Sequence, residues 1–511
     1  MRNISQSKQT VINMAASMST YIISLLISFF LSPYIVENIG VDANGFITLA
    51  NNFLGYASLA SIALNTLASR FVTVSIHQKD NEKANKYFSS IFYANVFLSA
   101  GLAIVFSLIL IFLDDIIDVA PSLLTDVRLL FGVLFINSIS NTVGSIFSVA
   151  TFATNKLYLN SIAGIITNFI RVIILIVLFS LFQPKLYYVG ISTFCSGFLL
   201  VIINFFLTKK LLPQIKIDYK YFELKKVKEL ISGGIWASVN RLGTILLSDL
   251  DLLISNVFID SIAMGVLSIS KTVPNVVNSV VGTIVAVFSP NYTILYAQKK
   301  YDELVKTVRR SMKIMGIITN LPVIVLIICG EQFYRLWQPT QDAHELYILS
   351  ILAIACIIIS GGINCIYNIF TVVNKLKLNA VVVIISGLIS TALVFVLLKT
   401  TNLGIYAIAG VSTVISIIRN LVFTAPYGAK CLNLKWYAFY PEIVKPVIYV
   451  ALSVVISYFP TKVIKADNWI SLFALGILTL VISVLIGYFV ILNKEERHMV
   501  NNLILKKLKR G

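Results

Sequence analysis

Arg171, Arg241, Asp249 and Asp251 are the residues of this sequence best placed to do chemistry, because each lies deep inside a long apolar run. A charge at the centre of a membrane helix costs about 2.5–3.5 kcal/mol, so four left unpaired would cost on the order of 10–14 kcal/mol. They must therefore face protein or water rather than lipid. Guanidinium groups grip phosphate oxygens bidentately and keep their charge when partly buried, so Arg171 and Arg241 suit an oxyanion such as phosphate. The two aspartates suit balancing those cations in an empty site, or holding a coupling proton or sodium ion. The competing reading is internal ion pairing that only fixes packing. Arg70, Lys271 and Arg419 are weaker, since each falls within about four to eight residues of the end of its run and can snorkel to the headgroups. Snorkelling is the reading adopted for Arg419, whereas Arg70 and Lys271 remain candidates for the oxyanion.

Helical spacing groups these residues with others. Arg241, Thr244, Ser248, Asp251 and Ser255 recur every three or four positions and make one polar stripe. Asp249 falls about 120° from the middle of that stripe at 100° per residue, so it is expected to meet a neighbouring helix. Asn51, Gly55, Ser58, Asn65 and Ser69 form a second line, and Lys271, Asn275, Asn278, Gly282 and Ser289 a third. Asn137, Asn141, Gly144, Ser148 and Thr151 form a fourth, while Gly164 and Asn168 stand beside Arg171. Small and amide residues at this spacing are commonly packing seams in membranes. Packing is the reading for most of these residues taken singly, while four such lines, several ending on a cation, tilt the whole towards a hydrated cleft. Asn51, Asn65, Asn168, Asn275 and Asn278 are its expected polar lining.

The elements that carry these residues follow from composition. Hydrophobic residues are 58% of the chain, charged residues 13%, and the mean hydropathy is +0.88. Such a chain cannot clothe itself in polar surface, so a bilayer is its solvent. Fourteen segments are long enough to span about 30 Å of hydrocarbon: approximately 11–36, 46–76, 88–112, 128–152, 159–182, 187–208, 230–257, 263–297, 311–329, 346–373, 378–398, 403–423, 443–459 and 469–492. The second, eighth and tenth exceed a minimal span and are expected to tilt, bend or extend beyond the lipid. With the N-terminus inside, inward segments hold 29 Lys and Arg against six in outward loops, which places both termini in the cytoplasm. The net charge of +18 is thereby assigned to topology and anionic headgroups rather than to nucleic acid. The first apolar run is too long for a secretory signal and reads as a membrane helix.

Other chemistries lack their motifs. The five cysteines show no CxxC spacing and the three histidines stand singly, which argues against a disulfide framework or a metal site. There is no phosphate-binding GxxxxGK[ST], and the longest outward loops are too short for a catalytic domain. In "DLD" (249–251) the carboxylates point about 200° apart on a helix, so they cannot share an ion. No cofactor and no catalytic residue is expected.

The chain repeats itself. "NKLYLN" (155–160) echoes "NKLKLN" (374–379). An offset of 220 aligns "ANGFITL" (43–49) with "AMGVLSI" (263–269), "QKDNEK" (78–83) with "QKKYDE" (298–303), and "GIST" (190–193) with "GVST" (410–413). Several weak matches at one offset mark a duplication. Six helices separate equivalent positions, an even number, so the repeats run parallel. Residues 1–220 and 221–440 are the expected bundles, and 441–511 hold two further helices and a basic cytoplasmic tail. The twin phrases are the short inward turns between the fourth and fifth, and tenth and eleventh, helices.

An all-α polytopic membrane protein of fourteen helices, two parallel six-helix repeats and two terminal helices resembles the polysaccharide transporters of the multidrug/oligosaccharidyl-lipid/polysaccharide exporter superfamily. The resemblance spans the whole chain and rests on architecture and loop spacing. It implies a MATE-like fold with a cationic cavity between two bundles, in a bacterial cytoplasmic membrane. It also implies alternating-access flipping of undecaprenyl-pyrophosphate-linked oligosaccharides for O-antigen, capsule or exopolysaccharide synthesis. Arg171, Arg241, Lys271 and Arg70 would then hold the pyrophosphate. Asp251 and Asp249 would balance charge or bind H+ or Na+. Membrane lipids, a polysaccharide polymerase and chain-length machinery are the expected partners. The alternatives are an ion-coupled multidrug or cation antiporter of the same superfamily, and a lipid II flippase. An antiporter calls for acids lining the cleft with little cationic competition.

Overall fold

The structure, a computed structural model, describes residues 6–498 and Asn501. Arg2, the Lys8 side chain and the basic residues after 501, which contribute to the expected cytoplasmic termini, lie outside the described residues. Among the described residues there is no strand. Fourteen helices are long and apolar enough to cross a membrane: α1 (Gln6–Asn38), α2 (Val41–His77), α3 (Asn81–Ile111), α4 (Leu124–Ala153), α5 (Leu157–Leu181), α6 (Tyr187–Leu211), α7 (Leu224–Asp249, continued by Asp251–Phe258), α8 (Ser261–Ala297), α9 (Tyr301–Trp337), α10 (Ala343–Val372), α11 (Leu376–Thr400), α12 (Ile405–Cys431), α13 (Pro441–Thr461) and α14 (Trp469–Val490).

The long spans are interrupted as their length requires. α2 breaks between Asn65 and Ala68, α8 between Ala286 and Ser289, and α10 between Ile354 and Ile357. The first two breaks are repeat-equivalent, and Pro290 follows the second at a helix start, where its missing N–H costs nothing. Two helices run furthest beyond the spans the sequence suggested. α9 begins at Tyr301, and α12 continues through a π turn (Asn420–Thr424) to Cys431 rather than ending near 423.

The duplication is written into the backbone. Lys79 (φ 61°) and Lys299 (φ 58°), 220 apart, are both left-handed, as are Asn155 (φ 53°) and Asn374 (φ 55°). Asparagine tolerates this region better than other side chains with a Cβ, which is why "NKL" occurs twice. Each Asn turns the chain between two membrane helices. Asn13 of α1 then fastens the first turn, donating to the Asn155 side chain at 3.2 Å and accepting from Tyr158 N at 2.9 Å.

Packing divides the chain into two compact units, Met1–Ser268 and Ile269–Gly511. In the first, α1, α5, α6 and α4 pack in succession and α7 lies along α2. Here the start of α8 meets the start of α2 through repeat-equivalent residues. A Cβ on Gly45 would lie 2.9 Å from Gly265 Cα, and the Thr48 and Ser268 hydroxyls hydrogen-bond at 2.7 Å. In the second unit, α13 and α14 share a core with α9, formed by Ile324, Ile328, Tyr449, Val450, Leu472 and Leu475. A buried ion pair, Lys313 Nζ to Glu496 Oε1 at 3.0 Å, pins the segment after α14 to α9.

Candidate transport site

The first unit builds its charged site on α7. Residues Ile245–Asp249 form a π turn. One extra residue in a helical turn rotates everything after it by about 100°. On an unbroken helix Asp249, eight residues after Arg241, would sit about 80° away; with the insertion it returns to within about 20°. Its carboxylate Oδ2 accordingly meets Arg241 Nη2 at 2.8 Å. This corrects the expectation that Asp249 turns away from the stripe towards another helix. The same rotation carries Asp251 to about 180° from Arg241, and Asp251 is buried, 4% exposed. The stripe drawn through Arg241 and Asp251 is therefore broken.

Helix α2 completes this arrangement. Gly55 lies against Arg241, and a Cβ there would be 3.0 Å from Nη2. Tyr56 Oη and Asn52 Nδ2 donate to the Asp249 main-chain carbonyl at 2.8 and 3.0 Å. Thr244 Oγ1 accepts from Arg241 Nη1 at 3.4 Å. The ion pair is not sealed, since the side chains keep 35% (Arg241) and 25% (Asp249) of their exposure. Asn52 and Tyr56 were missed by the sequence reading. They lie on the same helix as Asn51 and Gly55, but nothing in local spacing marks a tyrosine that braces the carbonyl of another helix.

Arg171 stands differently. On α5 the residues Ile162, Ile166, Phe169, Ile173 and Ile176 are exposed, and their mean direction is about 180° from Arg171 at 100° per residue. The side chain thus points into the bundle. Its Nε is buried without a hydrogen-bond partner among the described residues. It lies fourteen residues after the start of α5 and ten before its end, close to mid-depth. Among the described residues no hydrogen bond or ion pair joins it to Arg241: α5 packs mainly on α1 and α6, whereas α7 packs mainly on α2. The two arginines do not form one clamp here.

The remaining predicted residues divide by role. Asn65 exchanges hydrogen bonds with Asn95 (3.1 and 3.2 Å) and accepts from Ser145, so it ties α2, α3 and α4 together. Asn168 donates to Ser24 Oγ at 2.9 Å and ties α5 to α1. Asn51 is exposed and bonds back to Ile47 O at 2.8 Å. Arg70 is exposed on the segment after the α2 break. Lys271, half-buried, and the exposed Asn275 and Asn278 flank Pro274 in the second unit.

Arg419 is engaged by a neighbouring helix. It lies fourteen residues after the start of α12 and twelve before its end, because that helix runs on to Cys431. Its Nη2 donates to Tyr367 Oη at 3.3 Å, and Tyr367 donates on to Asn420 Oδ1 at 3.1 Å. At the membrane edge the basic 209–228 segment is anchored rather than loose. Asn85 accepts from Lys216 N at 2.9 Å and Ser90 from Glu223 N at 2.9 Å. The Lys86 ammonium, 2.9 Å away, holds the Glu223 carboxyl below its ordinary range.

Residues 54–334, more than half the chain, match the profile described as polysaccharide biosynthesis protein. The chain belongs to that family. Its fold is that of the multidrug/oligosaccharidyl-lipid/polysaccharide superfamily. An inward-facing multidrug resistance MATE transporter of that superfamily superposes with a TM-score of 0.66 at 12% identity, over 83% of this chain and 98% of the other. The lipid II flippase MurJ, in an inward closed conformation, superposes with a TM-score of 0.65 at 14% identity, over 94% and 99%. An uncharacterized membrane protein of Bacillus subtilis (strain 168), EpsK, is 27% identical over 489 residues, 96% of this chain and 97% of its own. This family member is thus a multi-pass membrane protein, similar to EpsK over nearly its whole length.

Proposed function

We propose that this family member flips polyprenyl-diphosphate-linked oligosaccharides from the cytoplasmic to the outer leaflet of a bacterial cytoplasmic membrane, for surface polysaccharide assembly. The observation that carries the reading is Arg171, a cation directed into the bundle at mid-depth with its Nε unsatisfied. A membrane protein retains such a group where an anion visits it. Among the ligands its family and fold suggest, a lipid diphosphate supplies that anion. Arg241 is a separate phosphate contact, met at another stage of translocation and held by Asp249 until substrate arrives. Arg70 assists, and Asp251 is a candidate for a coupling proton or sodium ion. The protein acts by alternating access and not as an enzyme. Its termini lie in the cytoplasm, as the Lys and Arg bias requires.

The antiporter alternative is disfavoured because Asp249 is already neutralised by Arg241 at 2.8 Å. Lipid analysis of a strain lacking the protein, with its drug and dye sensitivity, separates the two. Accumulated inner-leaflet polyprenyl-diphosphate oligosaccharide with loss of surface polysaccharide is the expected result. Unchanged lipid intermediates with new drug sensitivity would sink the flippase reading. Arg171→Ala should abolish export at normal expression.

A further inference from the structure

The α1–α5 seam changes character along its length. Near the turn at Asn155 it is zipped by polar ties: Asn13 to Asn155, Thr20 Oγ1 to Ser161 O at 3.0 Å, and Asn168 to Ser24 at 2.9 Å. Beyond Ser24 and Asn168 the two helices instead enclose a groove of about 530 Å³. Its walls include Ile27, Phe30, Phe169, Val172 and Ile176, and the Tyr34 and Phe179 rings, 5.0 Å apart, stand at its far end. From Phe169 to Ser180 it runs about 17 Å along the helix. That is the shape of a seat for one hydrocarbon chain.

Charge and depth say which lipid. Arg171 shares the helical turn at the foot of the groove, and its Nε lacks a partner among the described residues. A resident phospholipid keeps its phosphate at the membrane surface, about 15 Å away along α5. Only a lipid whose headgroup is itself carried through the core brings phosphate to the level of Arg171. We propose that the α1–α5 groove seats the polyprenyl chain of the substrate in mid-translocation, with the diphosphate at Arg171 and the chain lying along Phe169, Val172 and Ile176. This rests on the flippase reading above and adds a place for the tail. Headgroup and tail then lie on two sides of one seam, and the lipid passes between the helices beyond the Ser24–Asn168 tie, where the groove opens.

The test uses the full chain in phospholipid nanodiscs, with a polyprenyl diphosphate bearing a photoreactive group on its first isoprene unit. Adducts are mapped by mass spectrometry. The expected peptides cover 23–34 and 169–180. Ile176→Trp, which fills the groove from an exposed position (60%), should abolish these adducts. Arg171→Gln should cut their yield about tenfold, the loss of one charge-assisted contact. Both variants should leave labelling by a photoreactive phospholipid unchanged. Adducts confined to other helices and indifferent to Ile176→Trp, with export intact, overturn the groove and leave the flippase reading standing. Equal labelling of the groove by phospholipid, competing with the probe, makes it an ordinary lipid site and also overturns the proposal. No adduct anywhere, with normal lipid intermediates in the deletion strain, removes both readings.

Discussion

Replacing Asp249 by Asn should tighten binding of an anionic lipid headgroup while slowing export. The carboxylate occupies Arg241 at 2.8 Å, so a diphosphate can reach that guanidinium only by displacing it. Two unit charges with centres about 4 Å apart attract by about 1 kcal/mol in water and about 4 kcal/mol at an effective dielectric of 20. Side chains 35% and 25% exposed lie between these limits, so roughly 1–3 kcal/mol must be overcome before phosphate binds. Asn keeps the shape and removes the charge. It also leaves in place the Asp249 carbonyl held by Tyr56 and Asn52, so the π turn should survive. The expected gain in affinity is about tenfold to a hundredfold. Titration of detergent-solubilised protein with a short polyprenyl diphosphate, followed by intrinsic fluorescence, measures it. Arg241→Gln alone and combined with Asp249→Asn closes the cycle, and in the double variant the gain should vanish. If Asp249→Asn binds no tighter at unchanged thermal stability, the carboxylate is not a competitor and the pair only fixes packing.

Three further outcomes bear on the fold. Gly265→Val puts branched carbon where even a Cβ would lie 2.3 Å from Val41 O, so melting should fall by the equivalent of about 1–3 kcal/mol or more, whereas Gly282→Ala, with open space around it, should be silent. Lys313→Met should destabilise by about 1–3 kcal/mol by leaving Glu496 without its cation, and adding Glu496→Leu should restore part of the loss. Burial raises the Glu496 pKa, but the Asn493 N–H and the Lys313 ammonium more than offset it and leave it lowered. Its stabilisation is therefore complete above the unfolded carboxylate pKa and lost as pH falls through the lower folded value; Glu496→Gln should flatten that acid-side fall in melting temperature. Asn155→Ala and Asn374→Ala, forced into left-handed backbone, should each cost about 1–2 kcal/mol, and the glycine variants much less.

The sequence by itself determined the bilayer as solvent, the fourteen spans, the duplication and the presence of charge at mid-depth. Apolar length, loop charge and self-similarity are properties of the chain taken in order, and they need no knowledge of neighbours. "NKLYLN" and "NKLKLN" were legible as turns for the same reason, since an asparagine in left-handed backbone is a local preference. The tertiary structure decided what each charge does. Whether Asp249 or Asp251 faces Arg241 depends on one residue inserted into a helical turn, and that turn is braced by Asn52 and Tyr56 from another helix. Arg419 reads as a membrane-edge residue until the π turn and the seven residues after it lengthen α12. Asn65 and Asn168 share the spacing of cavity-lining residues, yet their amides are spent on Asn95 and Ser24. Side-chain spacing fixes the direction in which a group leaves its own helix only while the helix stays regular, and what it meets there is set by the neighbouring helices.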